Sequence, residues 1–266
     1  MTGYWVVRTI TAGKVGEKIK YWVPGAKPER RSKRKEKMAE QKAKQNKFSS
    51  VRNLSREINA NFGAGGDLVG LDYSDEGLAR LDKYIADHPD IIEPTGDPEA
   101  DQLEARRIAA KRELVNFIRR VKRECQKQGI EIKITGAIVS DMDGKTAETV
   151  RVHHHLVCSG GVREILVDKW KELGGVDWSG LDKWQDDYTP VAEYLLKQVR
   201  PSKDEKKWTS TRNLAEPVMK DRVALTDSRL REPKGSKLIY TAEFYRGGSQ
   251  YIRYILPQAE NTPRRE

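Results

Sequence analysis

The chain has few cysteines, no long apolar run and no nucleotide-binding loop, and each absence excludes a class of protein or a kind of site. Its two cysteines, Cys125 and Cys158, are too few and too irregularly spaced for a disulfide framework or a Cys-x-x-Cys zinc site, so we expect a reducing cytosol and a buried strand position for Cys158. No segment approaches the roughly 18 apolar residues of a membrane-spanning helix, and Met1 to Ile10 lacks the pattern of a secretory signal. Without a Gly-x-x-x-x-Gly-Lys-Ser/Thr loop, no P-loop is available to supply a helicase activity.

Positive charge is what the sequence has in excess. Its 266 residues include 50 lysines and arginines against 40 aspartates and glutamates, a formal net charge of +10 with a pI near 9.4. This balance favours a polyanionic partner, because neutralising phosphates releases condensed counterions and gives affinity that does not depend on sequence. Charge alone does not separate DNA from RNA or anionic lipid, and a membrane partner is the weakest of these interpretations.

Hydrophobic periodicity predicts an α+β fold, with a central antiparallel sheet flanked by helices and a basic arm near the N-terminus. The predicted strands are a hairpin within 1–26, a strand over 68–73, an antiparallel pair over 130–140 and 149–158, and a last hairpin over 238–256. The predicted helices cover 48–62, 97–128, 162–173 and 189–199. Residues 27–47 are strongly basic without an apolar stripe, which fits either a solvated helix or flexible arm, or an arm that follows phosphates.

Three adjacent histidines lie inside one of the predicted strands, between Val152 and Leu156. Side chains alternate across a strand, so His153 and His155 share one face while His154 points to the other. Two neutral imidazoles on one face can hold a single divalent ion. The alternative is that the three are surface residues, but the apolar flanks favour a buried strand, where unpartnered imidazoles would be costly.

A tyrosine and a lysine lie three positions apart on the helix that begins after Pro190. Tyr194 and Lys197 therefore share a helical face, and a nearby cation favours the phenolate form that a nucleophile needs. In many amphipathic helices the same spacing has no chemical role, because the tyrosine packs and the lysine is solvated.

The order of these motifs resembles that of the HUH endonucleases of rolling-circle replication, in particular the replication-associated proteins of bacterial plasmids, integrative elements and small phages, including the gene II type of filamentous phage. The segments that carry the resemblance lie between about residues 48 and 217 and are Asn53 to Asp67, the strand Leu68 to Tyr73, His153 to Val157, Trp170 to Val176, the helix of Tyr194, and Trp208 to Pro217.

The resemblance implies a Mg²⁺ or Mn²⁺ ion held by His153, His155 and a carboxylate. The sequence departs from the family at this point, since residues 134–138 lack the usual glutamate ligand and Gly70 and Asp72 stand where the first strand usually has threonines. Asp72 is our first choice for the third ligand and Asp141 the second, with a structural or turn role as the alternative for either.

The resemblance also implies the reaction, in which Tyr194 attacks a DNA phosphorus and leaves a 5′-phosphotyrosine and a free 3′-hydroxyl. Lys197 would stabilise the phenolate, and Arg119, Arg123 and Arg212 would contact the DNA. Single-stranded DNA at a replication origin is then the expected partner, with a host helicase and polymerase acting beside it in the cytoplasm of a bacterial host. Tryptophans such as Trp170, Trp178 and Trp184 are expected either to stack on the single strand or to pack in the core.

This interpretation divides the chain into a hairpin with a basic arm (1–47), an HUH nuclease domain (48–220) and a C-terminal extension with a hairpin (221–266). Three alternatives remain open at this stage. The chain is a catalytically inactive DNA-binding module of the same fold, a related HUH transposase or relaxase, or a metal-dependent hydrolase that uses water while Tyr194 only packs.

Overall fold

The structure, a computed structural model, describes residues 3–25, 35–63, 65–143, 145–146, 149–184, 186–200, 206–224, 229–244 and 248–257. Over residues 35–47 the description is of the backbone, with a side chain only at Asn46. The chain forms two compact units, one made of Met1–Asn61 and Ala215–Glu266 and the other of Phe62–Leu214.

The strands are β1 (Gly3–Ala12), β2 (Val15–Pro24), β3 (Asp67–Asp72), β4 (Ile134–Met142), β5 (Thr149–Cys158), β6 (Val176–Gly180), β7 (Val218–Ala224), β8 (Lys237–Phe244) and β9 (Ser249–Ile255). The α-helices are α1 (Lys35–Asn61), α2 (Asp75–Ala86), α3 (Pro98–Lys127), α4 (Arg163–Trp170) and α5 (Thr189–Lys197), and short 3₁₀ turns cover Pro89–Ile91 and Leu181–Trp184. The α+β class predicted from the sequence is confirmed.

The first unit is a five-stranded sheet in the order β7-β1-β2-β9-β8, with each pair whose register is resolved antiparallel. Helix α1 packs on this sheet, and its Arg56 forms a two-pronged ion pair of 2.6 and 2.9 Å with Glu17 of β2. Gly13, in the β1–β2 turn, has a positive φ of 56°, and a Cβ there would lie 2.1 Å from the carbonyl oxygen of Asn59. The turn therefore needs glycine both for its backbone conformation and for the close approach of the helix.

The N-terminal and C-terminal hairpins predicted as separate extensions belong to this single sheet. Strand β2 pairs with β9 from Val15–Ile255 to Lys20–Gln250, and β1 pairs with β7 on its other edge. The unit boundaries consequently fall at 61/62 and 214/215 instead of at 47/48 and 220/221, because strand pairing joins segments far apart in sequence. Of the predicted basic arm, residues 26–34 lie outside the described residues, and α1 begins at Lys35.

The second unit is a four-stranded antiparallel sheet in the order β4-β5-β3-β6. Helices α2, α3 and α4 cover one of its faces, where Leu71, Leu114, Phe117, Leu156 and Trp170 are among the buried core residues. Helix α3, the longest helical signal in the sequence, begins at Pro98 with the Asp97 side chain accepting hydrogen bonds from two backbone amides of its first turn. The capping aspartate and the proline at the first helical position explain why this boundary was predictable.

The other face of this sheet carries the predicted histidine pair and lies near α5. The segment after α5 runs along the edge of β4, where Thr209 and Ala137 exchange two backbone hydrogen bonds and Thr211 donates to the carbonyl of Ile134. Across the parts of the chain that the structure describes, no helix is both long and apolar enough to cross a membrane.

Candidate active site

Strand β5 separates its three histidines onto two faces of the sheet. His153 lies opposite Asp72 of β3 and Ser140 of β4 in the strand register, while His155 lies opposite Gly70 and Ile138. Cross-strand partners share a face, so His153, His155 and Asp72 all belong to the same side of the sheet, as the alternation of the strand predicted.

His154 faces the opposite way and is a core residue. It is fully buried, and its Nε2 lies 2.8 Å from the hydroxyl of Tyr73, with the ring of Trp170 packed edge-on against it. Burial lowers the pKa of His154 to about 3, so the imidazole is neutral at physiological pH. This histidine stabilises the packing between β3, β5 and α4 and has no access to the opposite face.

The imidazoles of His153 and His155 meet through their Nε2 atoms, which are 3.1 Å apart. A divalent cation binds imidazole nitrogen at about 2.1 Å, and two such bonds at a right angle place the nitrogens roughly 3.0 Å apart. The Nδ1 of His153 lies 2.9 Å from the carbonyl oxygen of Arg151 and donates to it, which leaves the Nε2 lone pair free. Burial lowers the pKa of His155 to about 4, so this ring also presents a lone pair near neutral pH. The pair therefore fits two adjacent ligand positions of one divalent ion.

Helix α5 brings the phenol of Tyr194 to the histidine pair. The Tyr194 hydroxyl lies 3.4 Å from the Nε2 of His155, and 44% of the tyrosine is exposed, so the oxygen is open to a ligand from solvent. The helix is anchored by its apolar side, on which Val191 and Leu195 are fully buried. Lys197 is exposed one helical turn beyond Tyr194, as its spacing predicted.

Gln198, which the sequence analysis did not single out, contributes to the site as the residue that follows α5. It is buried, accepts a hydrogen bond of 2.8 Å from the hydroxyl of Ser140, and forms a side-chain hydrogen bond with His155. Its only signal in the sequence is the four-residue spacing from Tyr194, which places both on one helical face. The amide therefore links His155 to Ser140 of β4.

Three carboxylates lie close enough in the fold to be considered as a third metal ligand, and they differ in burial and in their partners. Asp72 is exposed on the site face beside His153. Asp141 is buried and paired at 2.6 Å with Arg200, so its charge is already compensated. Asp177 of β6 lies over Gly70, next to the histidine pair. Within the described residues, no three His, Cys, Asp or Glu side chains converge closely enough to form a complete metal site.

The predicted DNA-contacting arginines do not gather around the histidine pair. Arg119 and Arg123 are exposed one turn apart on α3, the helix that covers the opposite face of the sheet. Arg212 is exposed in the segment along the β4 edge. Of the tryptophans, Trp170 is fully buried, whereas Trp178 is 39% exposed and lies under the guanidinium of Arg163. Stacking on a base is sterically available to Trp178 and excluded for Trp170.

Comparison with known protein families, with curated proteins and with solved structures found no match to this chain.

Proposed function

We propose that the unit Phe62–Leu214 is an HUH endonuclease domain that nicks and rejoins single-stranded DNA through a 5′-phosphotyrosine intermediate, as an initiator of rolling-circle replication. One observation carries the proposal. The Nε2 of His155 lies within hydrogen-bonding range of both the Tyr194 hydroxyl and the Nε2 of His153, although Tyr194 and the histidines belong to segments about forty residues apart. This is the combination of a nucleophile and a two-nitrogen metal position that the reaction needs.

A divalent ion, Mg²⁺ or Mn²⁺, would be held by His153 and His155, whose nitrogen spacing suits it. When bound, such an ion polarises the scissile phosphate and offsets the negative charge that builds on its oxygens.

The protein's own residues supply the nucleophile and its surroundings. The Tyr194 oxygen attacks the phosphorus, its proton passes to solvent, and the bond from phosphorus to the DNA 3′-oxygen breaks, leaving a 3′-hydroxyl once that oxygen takes a proton. Lys197, one turn away on α5, would position the scissile phosphate. Gln198 and Ser140 keep His155 oriented. One phosphate ester is formed for each one broken, so rejoining by the reverse reaction needs no nucleotide cofactor.

A second candidate is a catalytically inactive DNA-binding module of the same fold. The observation in its favour is the absence, among the described side chains, of a third ligand already in contact with the histidine pair. This candidate keeps the affinity for single-stranded DNA and lacks the covalent step.

The test is covalent capture of DNA. The whole chain is incubated with Mn²⁺ and a pool of single-stranded oligonucleotides of randomised sequence, and denaturing electrophoresis with mass spectrometry then locates any protein–DNA bond. We expect an adduct on Tyr194 that Tyr194→Phe abolishes. Tyr4→Phe, which changes another exposed tyrosine in the first unit, is the matched control and should retain the adduct.

Each contrary result has a separate meaning. Cleavage that survives Tyr194→Phe would refute the tyrosine assignment and favour hydrolysis by water. Retention of DNA binding with neither cleavage nor adduct would favour the inactive module.

A further inference from the structure

An aspartate lies where the side chain of Gly70 would be, beside the histidine pair. In the strand register His155 of β5 pairs with Gly70 of β3, and Gly70 pairs with Asp177 of β6, so the three form one row across the site face. A Cβ built on Gly70 would lie 2.0 Å from the Oδ1 of Asp177 and 3.0 Å from its Cγ. The carboxylate therefore leans inward across β3 and fills the volume that any other residue at position 70 would occupy.

This placement shortens the distance between Asp177 and His155. Neighbouring strands are about 4.8 Å apart, so residues two strands apart on one face are normally separated by roughly 10 Å. Because the Asp177 oxygen lies close to the missing Cβ of Gly70, it approaches His155 as a residue on the adjacent strand would.

The other two carboxylates are less suited to the position. The buried carboxylate of Asp141 is paired with the half-exposed Arg200, and breaking that pair would leave the buried charge without its partner. Asp72 is the exposed last residue of β3 and lies opposite His153, outside the row that joins His155, Gly70 and Asp177. Unlike Asp141, Asp177 has no ion pair and no side-chain hydrogen bond within the described residues that would have to be broken before it binds a cation.

We propose that Asp177 becomes the third protein ligand of the divalent cation, its carboxylate turning toward the histidine pair through the gap left by Gly70 when the ion binds, because the three side chains do not converge before that movement. This inference rests on the metal-dependent function proposed above. A neutral pair of imidazoles with one carboxylate is a donor set that Mn²⁺ and Mg²⁺ accept, with water at the remaining positions.

The test is calorimetric titration of Mn²⁺ into the whole chain, with circular dichroism to verify folding of each variant. Wild type should bind one ion, and the double variant His153→Ala/His155→Ala should bind none. Changes to groups that only support metal ligands weaken metal affinity by about 10- to 100-fold, so we expect Asp177→Asn, which removes a direct ligand, to weaken Mn²⁺ binding by at least about 10-fold. Asp72→Asn tests the rival ligand and should stay within about 3-fold of wild type, as should the control Asp90→Asn, which changes an exposed aspartate in the 3₁₀ turn after α2.

A second variant, Gly70→Ala, fills the space beside Asp177 and leaves the Asp177 carboxylate itself unchanged. In Gly70→Ala the added methyl group collides with the Asp177 carboxylate and pushes it outward, so the affinity for Mn²⁺ should fall as it does in Asp177→Asn. Electron paramagnetic resonance of bound Mn²⁺ gives a readout that is independent of DNA cleavage.

The outcomes separate this inference from the proposed function. If Asp177→Asn and Gly70→Ala bind Mn²⁺ like wild type while the histidine double variant does not, Asp177 is not the ligand and the metal site stands. If Asp72→Asn is the variant that loses binding, Asp72 is the third ligand. If wild type binds no Mn²⁺ at all, both the inference and the metal-dependent function are overturned.

Discussion

The three adjacent histidines should respond to substitution in two different ways. His154→Leu removes a core imidazole and leaves the hydroxyl of Tyr73, which is 4% exposed, without its partner at 2.8 Å. An unsatisfied buried polar group costs about 1–3 kcal/mol. We therefore expect His154→Leu to lower the free energy of unfolding by this amount and to leave Mn²⁺ binding within about 3-fold, whereas His153→Ala should abolish the binding and cost little stability.

A double-mutant cycle with Tyr73→Phe isolates the buried hydrogen bond. Tyr73→Phe alone should also destabilise, because it leaves the Nε2 of His154 without a donor. The double variant His154→Leu/Tyr73→Phe leaves neither group unsatisfied, so the coupling energy should be about 1–3 kcal/mol.

The assay is urea unfolding. With a slope of about 2 kcal/mol per molar urea, each single variant should shift the midpoint by roughly 0.5–1.5 M, and the double variant by less than the sum of the two. Loss of Mn²⁺ binding in His154→Leu with retention in His153→Ala would refute the assignment of the faces, and strict additivity would refute the role of the hydrogen bond.

Three further predictions concern other parts of the molecule. Glu17→Gln leaves the part-buried guanidinium of Arg56 without its counter-ion and should lower the unfolding free energy by about 2–3 kcal/mol, whereas Asp221→Asn, in an exposed pair with Arg8, should cost less than about 1 kcal/mol; equal midpoints in urea would contradict this. Burial raises the pKa of the Cys158 thiol to about 12, so the thiolate is scarce at pH 8 and a disulfide reagent such as Ellman's should label Cys158 only when unit Phe62–Leu214 unfolds; rapid labelling of the native chain would show that the strand is open. Gln198→Leu removes the amide between Ser140 and His155 and should weaken Mn²⁺ binding by about 10-fold in calorimetry, and unchanged affinity would show that His155 is held without it.

Local patterns were enough to predict the elements that carry the site. Alternation within Thr149–Cys158 assigned the faces of the three histidines, and the proline after Thr189 located the start of α5. The antiparallel pair β4–β5 was predicted from two adjacent alternating segments and a turn, and it is confirmed. These features depend on residues close together in sequence, so the local periodicity of apolar residues is enough to reveal them.

Features that depend on distant residues were not predictable in the same way. The position of Asp177 follows from the register of β6 on β3, which a strand of five residues does not reveal by its own pattern. The pairing of β2 with β9 joins segments more than 200 residues apart, so two hairpins were predicted correctly while their common sheet was missed. Strand β7 was not predicted at all, and its exposed, weakly alternating residues explain why. The HUH assignment and the DNA-contacting roles of Arg119, Arg123 and Arg212 stay predictions.

The chain leaves the first unit at Asn61 and returns to it at Ala215, where the Asn61 side chain bonds both the amide and the carbonyl of Ala215, at 2.7 and 2.9 Å. Unit Phe62–Leu214 is thus an insertion, and the hydrogen bonds between Asn61 and Ala215 hold its two ends together. During synthesis from the N-terminus, every strand of the inserted unit is made before β7, β8 and β9, so the inserted unit can complete its sheet while the first unit still lacks three of its five strands. The order of synthesis therefore allows the first unit to complete its sheet after the inserted unit, with Asn61 and Ala215 joining the two ends of the insertion.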